Sequence, residues 1–521
     1  VNGNNRNINN AKWIDSLIVL LFFAGVLLFL FYTGTLNSGY HFIDDHEMLK
    51  IHADLEKTSF VDTTIQWIKN DFNIRFRPIY FLHRVFEMKF FGDNFFDLSF
   101  YTGVLAALTF LFFYYGARKM RFSILESVLF IILTFIGPQM AIWWQLGPNE
   151  TIGMFFLGLS FLYMAKCTDN NKYFLNNSLF SIFLILASLS KENFAMIIPA
   201  FVLYKTWNEK QLFKKSTLEI IQKNYLAIFL IFFMIVEMWF IVFLVGTNTI
   251  GYAGSTSSVR ELFRRVSDIL IRENMLSGWL KLTVVLSAIY FSELAYLKFR
   301  KKIKISLMIS KILPALFFSL MVVLPNILFY AKSGFMERYL LPIVLGFSFF
   351  AVNVIKNINN GILRKAIILI CILFSVSLYN TAAKSASIFA KEGFQTAEMF
   401  SAVIGNSKPN SSILLVADPV DRFETSDSIR IYLSSKGFNN MYAHPIGREY
   451  RSDFERNLEK IWMKWFEHKN LKDMNNDPGV IILIDKIQSE QIFIKKYIPQ
   501  NKYHNILDNN NPHAVYVKNN P

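Results

Sequence analysis

Apolar runs of about 20 residues recur along this chain, and nothing else in it constrains the fold as strongly. A hydrocarbon core about 30 Å thick requires helices of that length, so each run is a candidate membrane span. We read helices near 14–34, 98–117, 123–137, 150–166, 178–190, 193–205, 225–245, 277–297, 307–330, 338–355 and 366–383. The stretches 123–137, 178–190 and 193–205 are short and are expected to be tilted, broken or partly re-entrant. The expected fold class is an all-α polytopic membrane protein with about eleven transmembrane helices. Hydrophobic residues form 53% of the chain and charged residues only 18%, as suits a protein whose solvent is largely lipid. The first run is too long, and lacks the small-residue cleavage site, for a removed signal peptide.

Lys and Arg in the short loops set the expected orientation. With the N-terminus in the cytoplasm, the inside loops carry Arg118, Lys119 and Arg121, then Lys205 to Lys223, Lys298 to Lys304 and Lys356 to Lys365. The outside loop 138–149 has no Lys or Arg, and the count of crossings leaves the C-terminus outside. Much of the net charge of +15 then faces anionic lipid. A basic soluble protein would invite a nucleic-acid partner; here none is expected, and membrane lipid is. The only cysteines, Cys167 and Cys371, are not expected to pair, and no zinc spacing or redox motif occurs.

Two domains are expected. Residues 1–390 form the membrane domain, with outside excursions at 35–97 and 246–276, and residues 391–521 form a polar domain beyond the membrane. In the latter, Ser411–Pro419, Gly479–Asp485 and Ala514–Val517 are short apolar runs bounded by turn residues, which read as buried strands. Helical patterns at 426–436 and 452–468 lie between them, giving a small α/β domain. It lacks a Gly-x-Gly-x-x-Gly motif, so no nucleotide is assigned to it. Within 35–97, two segments look amphipathic and interfacial: one from Asp45 with Met48, Ile51 and Leu55 on one face, and one from Pro78 with Ile79, Leu82, Val85, Phe86 and Phe90.

The chemically suggestive residues fall on the expected outer side. Asp44-Asp45 follow the first apolar run, where adjacent carboxylates suit a base or a cation site. Asp44 with Glu47 also matches a helix-capping pair, which would occupy Asp44 structurally. His41, His46 and His52 fit no specific metal motif and read as ordinary interfacial histidines. Arg75 and Arg77 precede the helix opened by Pro78, where guanidinium groups beside free backbone N–H groups make a phosphate site. The alternative is that they meet lipid headgroups or Asp71. Ser190-Lys191-Glu192 turns between two short apolar segments, so its charges either line a cavity or pair with each other. Lys332, Glu337 and Arg338 lie at the start of the tenth run, where Arg338 either reaches a phosphate or snorkels to the interface. Trp143-Trp144 read as an interfacial aromatic belt rather than a sugar platform.

In order, the acidic pair, Arg75-Phe76-Arg77-Pro78-Ile79, Ser190-Lys191-Glu192 and Glu337-Arg338-Tyr339-Leu340-Leu341-Pro342 resemble the motifs of integral-membrane glycosyltransferases of the GT-C type. The first three are similar to the acidic, Arg-Pro-Leu/Ile and Ser-Lys-Glu motifs of polyprenyl- or dolichyl-phosphate-sugar-dependent, mannosyltransferase-like enzymes. The resemblance spans most of the membrane domain, and the C-terminal domain looks like the extracytoplasmic appendage many such enzymes carry. It implies a bacterial inner-membrane enzyme with its active site and C-terminal domain in the periplasm. The implied reaction moves a sugar from a polyprenyl-phosphate donor to a glycan such as O-antigen, a lipid or a protein, with inversion. Asp44 or Asp45 would be the base. Arg75, Arg77, Lys191 and Arg338 would hold the departing phosphate, with Glu47, Glu192, Lys332 and Glu337 supporting. A pyrophosphate donor would favour a divalent cation on the acidic pair.

Two other classes compete. A transporter or flippase of lipid-linked sugars would show related halves and charges at the bilayer midplane, and neither is clear here. An acyl or phosphoglycerol transferase is disfavoured by the lack of a membrane His–Asp pair or an activated Ser/Thr motif.

Overall fold

The structure is a computed structural model, and it describes residues 2–42, 44–73, 75–167, 172–213, 224–245, 259–272, 274–301, 305–333, 336–446, 452–474, 477–484, 502–508 and 510–519. Its helices begin with α1 (Asn2–Thr33), α2 (Asp45–Leu55), α3 (Phe60–Asp71), α4 (Pro78–Phe91) and α5 (Phe95–Lys119). They continue as α6 (Ile124–Phe135), α7 (Ala141–Trp144), α8 (Glu150–Lys166), α9 (Tyr173–Ser188), α10 (Glu192–Ala195) and α11 (Ile198–Phe213). Then follow α12 (Tyr225–Phe243), α13 (Val259–Ser267), α14 (Asn274–Lys301), α15 (Ile305–Ser333), α16 (Ile343–Asn357), α17 (Gly361–Gly405), α18 (Phe423–Ser435) and α19 (Asp453–Trp465).

Every expected apolar stretch carries a helix. Among the described residues six helices are long and apolar enough to cross a membrane, or seven if the pair Ile124–Phe135 and Pro138–Trp144, bent by 76°, is one span. That bend falls where Gly137 adopts φ 143° and Pro138 follows, a backbone that no helix interior accommodates. The chain is a polytopic, largely helical membrane protein with a small C-terminal α/β portion.

Several boundaries differ from the sequence reading. The stretch 193–205 is a short α10 followed by α11, which runs on to Phe213. The stretch 338–355 begins later, at Ile343, because a 3-10 turn over Glu337–Leu340 and then Pro342 precede the helix. The stretch 366–383 is part of one 45-residue helix, α17, since no proline interrupts it before Gly405. Helix α3 went unread because its apolar residues are sparse among polar ones. Residues 246–258 of the second excursion, and 214–223 and 302–304 of the basic loops, lie outside the described residues.

The chain forms two compact units: Val1–Thr33, Thr64–His83 and Ser99–Ala386 make the first, and Gly34–Thr63, Arg84–Leu98 and Ser387–Pro521 the second. The second is built on a five-stranded sheet of order β2-β1-β3-β5-β4. Its strands are β1 (Ile413–Ala417), β2 (Met441–Pro445), β3 (Val480–Leu483), β4 (Tyr503–Asn505) and β5 (Ala514–Lys518). β1 pairs parallel with β2 and β3; β5 runs antiparallel to β3 and β4. The three expected strands are β1, β3 and β5; β2 and β4 are the more polar edge strands.

Alternation along β1 serves two cores. Ile413, Leu415 and Ala417 join Met399, Phe400, Leu433 and Trp462, whereas Leu414 and Val416 join Ile481, Leu483 and Tyr503 on the other face. Tyr40 and Leu49, from the segment after the first span, enter the first of these cores. The Tyr40 hydroxyl also donates to the Ser428 carbonyl at 3.0 Å, and Lys50 pairs with Asp427 at 3.0 Å. Helix α2 is thereby fixed to α18.

Candidate functional site

In the first unit, three of the four motifs meet. Pro78 opens α4 as its proline chemistry suggests, and the next N–H, of Ile79, donates to the Leu189 carbonyl at 3.2 Å. This ties the Arg-Pro-Ile segment to the Ser190-Lys191-Glu192 turn. Lys191 in turn lies 4.4 Å from the Tyr339 ring centroid and 5.6 Å from that of Tyr330. The two tyrosines stack at 4.5 Å. Asn193 reaches Asn326 of α15 at 3.3 Å.

The four candidate cations are differently engaged. Arg77 is closed: its Nε and Nη2 bind the Asp71 carboxylate at 3.2 and 2.5 Å, its backbone N–H donates to the same group at 3.1 Å, and it lies over the Tyr80 ring at 5.0 Å. Lys191 is 2% exposed and its ammonium pairs with Glu150, the first residue of α8. Arg75 is more accessible, with its Nε 4.0 Å from Glu192. Arg338 is half-buried, with its guanidinium 5.4 Å from the Tyr339 ring, and its charge opposes that of Lys191. Glu337 accepts from the Ser385 hydroxyl at 3.2 Å, and burial pushes its carboxyl above the ordinary range. The Lys332 side chain lies outside the described residues.

One residue of this region was invisible to sequence reading. Glu237 stands in the last third of the apolar helix α12, is 4% exposed, and neither carboxylate oxygen has a hydrogen-bond partner. Helix α12 packs on α9 and α10, and Ser188 and Glu192 are its polar neighbours. Glu192 is also 4% exposed, and its Oε2 is unpartnered. The available signal was a lone carboxylate inside an apolar run, which usually marks function. Trp143 and Trp144 are buried, against Phe110 and Phe29, so they form neither a belt nor a platform.

In the second unit, the acidic pair is split by its surroundings. Asp45, the first residue of α2, is 2% exposed and accepts the His41 backbone N–H at 2.8 Å. The His41 ring stacks on Phe389 at 3.7 Å and bonds the Phe389 carbonyl at 3.1 Å. A Cβ at Gly393 would collide with the Ser38 carbonyl and the His41 ring, so this glycine permits the close approach. Asp44 is half-buried and has φ 67° and ψ −31°, a strained backbone for a residue with a Cβ. The expected capping does not occur: Asp44 takes the cap position, with a backbone outside the extended region usual for a cap, and its carboxylate makes no cap hydrogen bond. Glu47 offers its backbone N–H to the Asp44 carbonyl at 3.1 Å. Among the described residues, no three of His, Cys, Asp and Glu gather as a metal site, and His41, His46 and His52 are not drawn together as ligands.

No protein-family model matches the chain, and no curated protein does. Among solved structures, ArnT from Cupriavidus metallidurans bound to undecaprenyl phosphate superposes with a TM-score of 0.52 at 10% identity, over 96% of this chain and 97% of that one. The same protein in its apo state gives 0.49 at 11% identity, over 98% of each chain. The fold is of the GT-C type.

Proposed function

We propose that this chain is a GT-C-type glycosyltransferase that moves a sugar from a polyprenyl-phosphate donor to an acceptor hydroxyl. The observation that carries this reading is the meeting of Arg75, Lys191 and Arg338, with their carboxylates, inside one unit of the membrane fold. That the ArnT structure holds undecaprenyl phosphate supports a lipid-phosphate ligand for this fold. Arg75 and Arg338 are the cations that face the phosphate; Arg77 and Lys191, committed to Asp71 and Glu150, hold the motifs in place. Positioned donors of this kind stabilise charge as it develops on a leaving group.

Asp44 is the general base and Asp45 its positioning residue. Buried Asp45 holds the loop through the His41 N–H, while Asp44 is the strained, accessible member. Attack by the deprotonated hydroxyl on the anomeric carbon expels the lipid phosphate in one displacement and inverts the configuration. The Lys/Arg bias of the loops supports a bacterial inner-membrane location with the N-terminus in the cytoplasm and the acidic pair in the periplasm. A cell-surface glycan such as O-antigen, a lipid or a protein is the acceptor class.

Purified protein in nanodiscs, given a panel of polyprenyl phosphate sugars, tests this. Release of free polyprenyl phosphate with formation of a glycosylated acceptor is expected. Movement of the lipid-linked sugar across a bilayer with no transfer of any panel member would instead identify a flippase.

A further inference from the structure

We propose that α13 is an interfacial helix whose exposed stripe, Arg260, Phe263, Arg264 and Ser267, docks on the headgroups of anionic phospholipid. The inference lies outside the transferase reading and needs only the membrane fold. Helix α13 carries Arg260, Glu261, Arg264 and Arg265 within its 9 residues, so it is too short and too charged to cross a bilayer. Nor can it stray far from one. The single turn Asp268–Arg272 joins it to α14, whose membrane span begins at Leu276, and that turn packs on α14. Helix α13 itself packs on α15, which holds the span Ile309–Ala331. A short charged helix tied to two spans in this way lies at the membrane surface.

The sides of α13 differ in what they meet. Glu261 and Arg265 are half-buried and pair at 2.7 Å across one turn, and half-buried Val266 leads on to Ile269, which is buried. Arg260, Phe263, Arg264 and Ser267 stand at i, i+3, i+4 and i+7, so they share one side, and all four are exposed, Phe263 by 69%. Among the described residues, neither Arg260 nor Arg264 has an ion-pair partner. In water, two guanidinium groups flanking a bare phenyl ring gain little from one another. In a headgroup layer the ring enters the acyl boundary, and the guanidinium groups, one turn apart, take phosphate oxygens by paired N–H donors. Charge selects the anionic class, because each arginine near a negative membrane surface strengthens attachment roughly fivefold. A merely solvated face would be indifferent to which lipid surrounds it.

Full-length protein carrying Ser267→Cys, labelled with a nitroxide and placed in nanodiscs, tests this; the native Cys167 and Cys371 are buried and should stay unlabelled. Electron paramagnetic resonance compares relaxation by oxygen, which favours lipid, with relaxation by a neutral nickel chelate, which favours water. In phosphatidylcholine containing phosphatidylglycerol, the label should be exposed to oxygen and shielded from nickel. In phosphatidylcholine alone, or at high salt, that shielding should fall. Combining Arg260→Gln with Arg264→Gln should abolish the difference between the two lipids. The lipid and salt comparisons use protein with both arginines intact, so they hold even where the double variant misfolds. Equal shielding in both lipids, or shielding that survives loss of both arginines, overturns recognition of the anionic headgroup. A label open to nickel in both lipids overturns the interfacial placement and leaves the stripe to a soluble anionic partner.

Discussion

Two buried polar clusters in the membrane unit use the same chemistry to opposite ends. In one, Lys205 lies 2.7 Å from both Glu209 and Asn224, Tyr173 donates to Asn224 at 2.7 Å, and Asn224 donates to Glu209 at 2.6 Å. Each charge there has its counterpart, and the cluster ties α9 and α11 to the start of α12. In the other, Glu192 and Glu237 leave three oxygens without a hydrogen bond, and Arg75 pairs with Glu192 at 4.0 Å. Burial alone therefore does not mark function. The close Lys205–Glu209 ion pair fixes helices, whereas carboxylates held without so close a cation carry a cost the rest of the fold must offset.

The acidic pair supplies the largest expected effect. Asp44→Asn should lower transfer by about 10²- to 10⁴-fold, the range for loss of a general base, with an unchanged Tm. Asp45→Asn should instead lower the Tm, and per folded molecule it should retain more activity than Asp44→Asn. If steady-state kinetics and calorimetry show the reverse, the roles are exchanged.

Arg75→Ala should reduce kcat/KM by about 100-fold, roughly 2.7 kcal/mol of transition-state stabilisation, as for loss of one preorganised donor. Lys205→Met should spare kcat and cost stability, by about 3–5 kcal/mol, because it leaves Glu209 buried without its cation. Equal kinetic defects in the two variants would erase the distinction between the clusters.

A smaller, pH-dependent effect is expected in the second unit at Arg84–Glu87, paired at 2.6 Å. Burial pushes the Glu87 carboxyl up to about 7, against the pull of Arg84. The folded state then keeps a proton that the unfolded chain releases near its ordinary value of 4.5. Stability from this group is full below that value and is lost as pH rises through about 7. Glu87→Gln should flatten the Tm-against-pH curve in that window, and an unchanged slope would contradict it.

Much of this was legible in the sequence because lipid demands long apolar helices and turn chemistry marks their ends. The strands β1, β3 and β5 were legible because each is a short apolar run bounded by turn residues. What escaped was long-range. Lys191 and Glu150 are 41 residues apart, and no local pattern announces their pairing. Tyr40 and Leu49 join a core whose other buried members run from Met399 to Val515, for which helix periodicity carries no sign. Glu237 was hidden by the hydropathy of its neighbours. Asp44 and Glu47 had the spelling of a cap, but the strained backbone at Asp44 defeated it.

On this reading Arg75 and Arg338 receive a lipid phosphate. Binding of undecaprenyl phosphate to full-length protein, measured by native mass spectrometry for wild type, Arg75→Ala and Lys205→Met, tests it most directly. Saturable one-to-one binding is expected, weakened at least about tenfold, or 1.4 kcal/mol, by Arg75→Ala and retained by folded Lys205→Met. Equal binding by wild type and Arg75→Ala, or no specific binding by the wild type, would contradict it.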